Sequence, residues 1–223
     1  LQRSRRWVKQ PANATSASTC DDPTMGTTPH DSVAEPFRLL FVCTANRCRS
    51  PMAEVLARQA LAERGIDAEV VSAGRLEGGV EASAGAVAVM KRRGLDLSGH
   101  TSARLDSDTL AHADLVLVME RAHLSDVYQT QPEALGRSFT LGEFPSLLQA
   151  ITVPARGPAP DDDAQRARQR IVLADGARDR MRILVDDNST DIADPMGRWN
   201  LHYRRTAKQL EELIEATFDG LFS

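Results

Sequence analysis

The sequence is short of cysteine: Cys20, Cys43 and Cys48 are all it has. An odd count without regular spacing argues against the disulfide framework of a small secreted domain, and a reducing cytoplasm is the expected setting. Lysine is nearly as scarce, at positions 9, 91 and 208 only, so the basic residues are almost all arginines. That pattern reads as compositional bias rather than as a binding surface. The formal net charge is −4, which gives no electrostatic case for nucleic acid or for an anionic membrane as a partner. No apolar run approaches the roughly 18 residues of a membrane-spanning helix. The opening "LQRSRRWVKQ" is basic, but the apolar stretch of a signal peptide does not follow it.

What is present suits a globular domain. Of 223 residues, 42% are hydrophobic and 26% charged, enough to bury a core without staples. Residues 1–36 are rich in Ser, Thr, Pro, Asp and Ala without periodicity and are expected to be a disordered N-terminal extension, with Met25 as the expected native start. Residues 37–223 then form a single domain. Strands are predicted over 38–43, 68–74, 114–120 and 137–141. Helices are predicted over 51–64, 83–93, 121–129, 143–151, 161–184 and 200–218. For the first helix, Ser50 is the expected N-cap, Pro51 the first position and Gly65 the residue just past the end. Alternating strands and helices imply an α/β fold, a four-stranded parallel sheet with helices on both faces. A Pro-rich, acidic stretch, "VPARGPAPDDDAQ", opens an inserted loop and helix at about 152–188.

In such sheets ligands bind outside the carboxyl ends of strands. Cys43 stands at such an end, in "LLFVCTANRCRSPMAEVL" (39–56). Cys43 to Ser50 runs from strand through tight loop to helix N-terminus. Loop amides there can converge on an anion, and the helix dipole adds positive charge. Arg49 offers a planar fork for two phosphate oxygens. A thiol in that field is expected to ionise easily. A lone cysteine would more often be an inert core residue. Cys-x5-Arg-Ser-Pro between a strand and a helix instead fits a thiolate beneath a phosphate, with the guanidinium at the rim.

"VCTANRCRSPMAE" resembles the signature of the low-molecular-weight protein tyrosine phosphatases. "VSAG" (71–74), "GLDLSGHTSARL" (94–105), "ADLVLVME" (113–120) and "DIADPMG" (191–197) resemble further segments of that family. The resemblance spans about 38–218, interrupted near 152–188, and implies the flavodoxin-like arrangement of that family. It implies phosphomonoester hydrolysis, with phosphotyrosine in proteins the expected substrate and no cofactor or metal. Cys43 is the implied nucleophile, Arg49 the phosphate-binding arginine and Asp194 the general acid, with Asp191 as its local rival. Thr44, Ala45, Asn46, Arg47, Cys48 and Arg49 supply the amide cradle. Ser50 is implied to hydrogen-bond the thiolate. Asn46, Ser72 and His100 match positions that shape the loop, and an αL backbone is expected at Asn46. Cys48 matches a second cysteine that can form a reversible disulfide with the nucleophile.

The chain departs from that family in its pocket walls. The loop after the second strand, "SAGRLEGGVEASAG", carries no aromatic, and Met196 follows Asp-Pro where Tyr or Phe is common. Trp199 is either a displaced wall or a cap of the last helix. Two other functions stay open. A small-thiol arsenate reductase needs only one cysteine, although Pro51 stands where those loops tend to carry Gln. A non-catalytic phosphoprotein-binding module is expected to lack Cys43, Arg49 or Asp194, and all three are here.

Overall fold

The computed structural model describes residues 35–151, 162–182 and 190–223. The expectations for residues 1–34, Cys20 and Met25 included, and for the Pro-rich stretch over 152–161 lie outside the described residues. The order of elements is β1 (Phe37–Cys43), α1 (Arg49–Glu63), β2 (Ala68–Gly74), α2 (Ala84–Lys91), α3 (Ser107–His112) and β3 (Leu115–Val118). α4 (Ala122–Thr130), a 3-10 turn (Pro132–Arg137), β4 (Ser138–Thr140), α5 (Phe144–Ala150), α6 (Asp163–Arg182) and α7 (Asn200–Phe222) follow.

The four strands form one parallel sheet in the order β2-β1-β3-β4. β1 sits between β2 and β3, so both of its edges are paired and both of its faces are buried. Its side chains alternate accordingly. Phe37, Leu39 and Phe41 face one core with Met52, Leu56, Phe139, Leu210 and Phe218, while Leu40 and Val42 face a second with Leu110, Val116, Val118 and Val127. α1, α5, α6 and α7 thus cover one face, and α3 and α4 the other. The expected fold class is the observed one.

Most predicted boundaries lie within a few residues of those observed. α1 starts earlier, at Arg49, with Cys48 in the N-cap position and no side chain capping it. Ser50 is therefore not the cap. Its hydroxyl is turned inward to Cys43, Asn46 and the Ala73 carbonyl. The first-turn amides of α1 receive no side-chain acceptor, which suits an end that faces an anion. Gly65 ends the helix as expected, at φ 68°. Sequence periodicity missed α3 and the 3-10 turn, each only six residues long. α3 had a readable signal: Asp106 caps it, accepting from the Thr109 amide at 2.7 Å.

α6 stands where the inserted helix was expected. Ala164, Ala167, Ile171, Ala174 and Ala177 form its buried face. Arg168 grips Asp114 through Nε and Nη2 at 2.8 and 3.1 Å. The Arg178 guanidinium lies 4.1 Å from the ring centre of Phe139 and donates to the Ser138 carbonyl, so α6 covers the short edge strand β4. None of the described helices is long and apolar enough to cross a membrane.

Candidate active site

The loop from Cys43 to Ser50 is closed by a side chain at its centre. Asn46 has φ 51°, the left-handed backbone that its short amide tolerates. The turn bends the loop so that the Asn46 amide points at Cys43 Sγ, 3.3 Å away. Asn46 is fully buried, and each polar atom of its side chain is used. Its Nδ2 donates to Ser50 Oγ at 2.9 Å and to Ser72 Oγ at 2.7 Å, and its Oδ1 accepts from the Ala103 amide at 2.9 Å. His100 Nε2 donates to the Asn46 carbonyl at 2.8 Å. Ser72 donates in turn to the buried carboxylate of Glu54, which is also paired with Arg58. Gly74 lies against this loop: a Cβ there would fall 2.7 Å from the Asn46 nitrogen.

Cys43 is buried at the floor. Ser50 Oγ is 3.0 Å from its sulfur. Because Ser50 already accepts from Asn46, its own proton goes either to Sγ or to the Ala73 carbonyl at 3.3 Å. With a thiol at Cys43 the S–H donates to Ser50 and the Ser50 proton turns to Ala73. With a thiolate the Ser50 proton turns to sulfur. Ser50 and the Asn46 amide then both donate to the anion.

Arg49 is 1% exposed, and its guanidinium is surrounded by acceptors. Nη1 pairs with Glu120 and donates to the Ile192 carbonyl at 2.8 Å. Nη2 donates to Thr44 Oγ1 at 3.3 Å and to Asp194 Oδ2 at 3.1 Å. Nε is buried and has no partner among the described residues. A buried guanidinium with one donor unspent is suited to receive a ligand oxygen.

The segment 190–196 is pinned beside this arginine. Ile192 is fully buried, and its amide donates to the Met119 carbonyl at 2.8 Å. Asp191 accepts from the Arg121 amide at 2.7 Å and so anchors the segment. Asp194 instead faces Arg49, with its side chain 42% exposed, and its Oδ1 accepts from the Met196 amide at 3.0 Å. Of the two aspartates, Asp194 is the one brought to Arg49.

Cys48 points away from the cradle, toward Ser83 Oγ at 3.0 Å and Tyr203 at 3.7 Å, and it is a free thiol like Cys43. Burial pushes its pKa up, which favours the protonated form. Arg47 turns outward and donates from Nε to the Glu81 carbonyl at 3.0 Å. Trp199 sits at the N-cap position of α7 with 86% of its surface exposed and makes no capping hydrogen bond. The sequence reading missed Glu120 and His123. "VMERAH" at the end of β3 marked that place, since β3 neighbours β1 and its carboxyl end opens beside Cys43.

A model of the family described as low molecular weight phosphotyrosine protein phosphatase matches residues 38–158. A protein-arginine-phosphatase of Geobacillus stearothermophilus is 35% identical over 153 residues, which cover 68% of this chain and 93% of that one. The crystal structure of a low molecular weight protein tyrosine phosphatase from T. tengcongensis superposes with a TM-score of 0.60 at 30% identity, over 82% of this chain and 98% of that one. An arginine phosphatase structure from Geobacillus stearothermophilus superposes with a TM-score of 0.59 at 31% identity, over 82% and 92% of the two chains.

Proposed function

This chain belongs to the low molecular weight phosphotyrosine protein phosphatase family, and within it we propose a protein-tyrosine phosphatase that works through a phosphocysteine at Cys43. The observation that carries the reading is the Cys43 sulfur under two donors, Ser50 and the Asn46 amide, in a loop whose rim holds Arg49 against Asp194.

In the first step the Cys43 thiolate attacks phosphorus in line with the ester oxygen. The P–O bond breaks as the S–P bond forms, and Asp194 gives its proton to the departing oxygen. The amides of Thr44, Ala45, Asn46, Arg47, Cys48 and Arg49, with Arg49 Nε, hold the equatorial oxygens where charge spreads in the transition state. In the second step Asp194, now a carboxylate, takes a proton from water that attacks phosphorus. The S–P bond breaks, and the Ser50 hydroxyl meets the returning thiolate. Asn46, Ser72 and His100 keep the loop in shape. No cofactor enters either step. The two free thiols suit a reducing compartment, and we place the enzyme in the cytoplasm, acting on phosphoproteins.

For the substrate side chain, exposed apolar groups on the two flanking loops, Leu76, Val80 and Met196, are suited to bracket an aryl ring without stacking on it. Phosphoarginine is the second reading, favoured by the similarity to the arginine phosphatase of Geobacillus stearothermophilus in sequence and in structure. Against it, four carboxylates on the segments around the cradle already pair with arginines of this chain: Glu120 and Asp194 with Arg49, Asp126 with Arg75 and Glu77 with Arg104. A phosphoarginine guanidinium would have to displace one of these arginines or turn to Glu81, whose backbone carbonyl holds Arg47 on the same flanking loop. Turnover of matched phosphotyrosyl and phosphoarginyl peptides tests this choice. A kcat/KM higher for the phosphotyrosyl peptide is expected, and the opposite order would transfer the assignment to arginine.

A further inference from the structure

Thr44 follows the nucleophile directly, and its hydroxyl is held in an unusual way. Among the described residues, two groups lie within hydrogen-bonding distance of Oγ1: His123 Nε2 at 3.0 Å and Arg49 Nη2 at 3.3 Å. A guanidinium can only donate. The role of the histidine follows from its other nitrogen, since Nδ1 lies 3.2 Å from the Glu120 amide, which also can only donate. Nδ1 therefore carries the lone pair, and in the neutral ring the proton sits on Nε2 and points at Thr44. His123 is buried, and burial pushes its pKa down, which keeps the ring neutral. Among the charged groups facing it, Glu120 and Asp126 oppose that shift and Arg49 and Arg75 add to it.

Both lone pairs of Thr44 Oγ1 are thus taken by incoming hydrogens. Its own hydrogen must be donated elsewhere, away from His123 and Arg49. Thr44 is only half-buried, next to the nucleophile, so the open direction is toward the cradle. We propose that the Thr44 hydroxyl is a phosphoryl-binding donor at this site and that His123 is the positioning residue that fixes its direction. The proposal rests on the reading of Cys43 to Ser50 as a phosphatase cradle. It adds to that cradle a side-chain donor, and a histidine that works from behind it without touching substrate.

The test is a set of variants assayed with p-nitrophenyl phosphate and with inorganic phosphate as competitive inhibitor. Wild-type turnover lost in Cys43→Ser confirms the underlying reading, and no wild-type turnover would sink that reading separately. Thr44→Val keeps the shape and removes the donor. Its kcat/KM is expected to fall, and its inhibition constant for phosphate to rise, by about ten- to a hundredfold, the usual effect of losing a hydrogen bond to a charged group. Thr44→Ser keeps the hydroxyl and should lose no more than about threefold. His123→Leu should lose activity in the wild-type background but not further in Thr44→Val, and His123→Gln, with an amide donor near the same place, should recover part of the loss. Thermal unfolding of each variant separates misfolding from lost binding, with Thr44→Ala as the smaller replacement where Thr44→Val does not fold. A folded Thr44 variant with unchanged phosphate inhibition, or a His123→Leu loss of equal size in both backgrounds, overturns the proposal.

Discussion

Arg49 Nη2 and Asp194 Oδ2 lie 3.1 Å apart. One belongs to the first turn of α1 and the other to a segment near the start of α7, far along the chain. On the proposed reading, the contact places Asp194 beside the arginine that holds the phosphate, where it can protonate a leaving oxygen. Asp194→Ala is therefore expected to lower kcat by about 10²–10⁴-fold. The loss should be smaller for p-nitrophenyl phosphate, whose leaving group needs little protonation, than for phenyl phosphate. Steady-state kinetics on the two esters checks this, and equal losses would mean that Asp194 acts only by holding Arg49.

Asn46 joins the loop to two strands through its backbone and amide. Asn46→Ala removes the bonds to Ser50, Ser72 and the Ala103 amide and leaves a β-carbon without compensation at φ 51°. A destabilisation of about 2–4 kcal/mol is expected from lost buried hydrogen bonds together with left-handed backbone strain. Asn46→Gly keeps the backbone but not the bonds and should be milder. Denaturant melts of the two variants give the order.

Gly74 ends β2 with no room for a side chain. A Cβ would meet the Asn46 nitrogen at 2.7 Å and the Ala45 carbonyl carbon at 2.9 Å, both backbone atoms of the cradle. Gly74→Ala should therefore cut kcat/KM severely, by about 10²-fold, since displacements of this size are costly in a preorganised site. Activity near wild type would show that the loop shifts freely.

His123 and Cys48, both buried, make opposite demands on pH. His123 has its pKa lowered by burial, so its neutral form is favoured in the fold. Its contribution is complete above the unfolded value near 6.5 and is lost as pH falls through the lower folded value. Cys48 has its pKa raised by burial, so its contribution is complete below the unfolded thiol range and declines as pH rises above it. Stability should fall on both sides, with the acid-side fall reduced in His123→Leu. Alkylation at pH 8 should mark Cys43 before Cys48, because the raised pKa of Cys48 favours its thiol form, whereas Ser50 and the Asn46 amide are placed to donate to a Cys43 thiolate. Mass spectrometry of partially labelled protein reads the order.

Much of this was legible in the chain. Period and turn residues placed all four strands and the helices from seven residues upward, and spacing and resemblance singled out Cys43, Arg49 and Asp194, of which Arg49 and Asp194 meet in the fold. The part that stayed hidden was local donor accounting. Ser50 looked like an N-cap because serine before Pro51 usually is one, yet its hydroxyl is drawn inward by Cys43 and Asn46. Nothing in the sequence separated the surroundings of Asp191 and Asp194; in the fold the first accepts from the Arg121 amide and the second lies against Arg49. Glu120 and His123 sit in a strand-end segment with no motif of its own, and only the pairing of β3 with β1 brings them to the cradle. The walls of the pocket were legible only as an absence, and Trp199, a candidate to fill it, is turned to solvent.

The central claim is that phosphate passes through Cys43. The direct measurement is rapid acid quench of the enzyme during turnover of p-nitrophenyl phosphate, followed by intact-mass and peptide mass spectrometry. The account predicts a protein heavier by one phosphoryl group, carried on the peptide that contains Cys43, and neither adduct nor turnover in Cys43→Ala. Turnover that persists in Cys43→Ala, or a phosphoryl group found on another residue of the wild type, would contradict it.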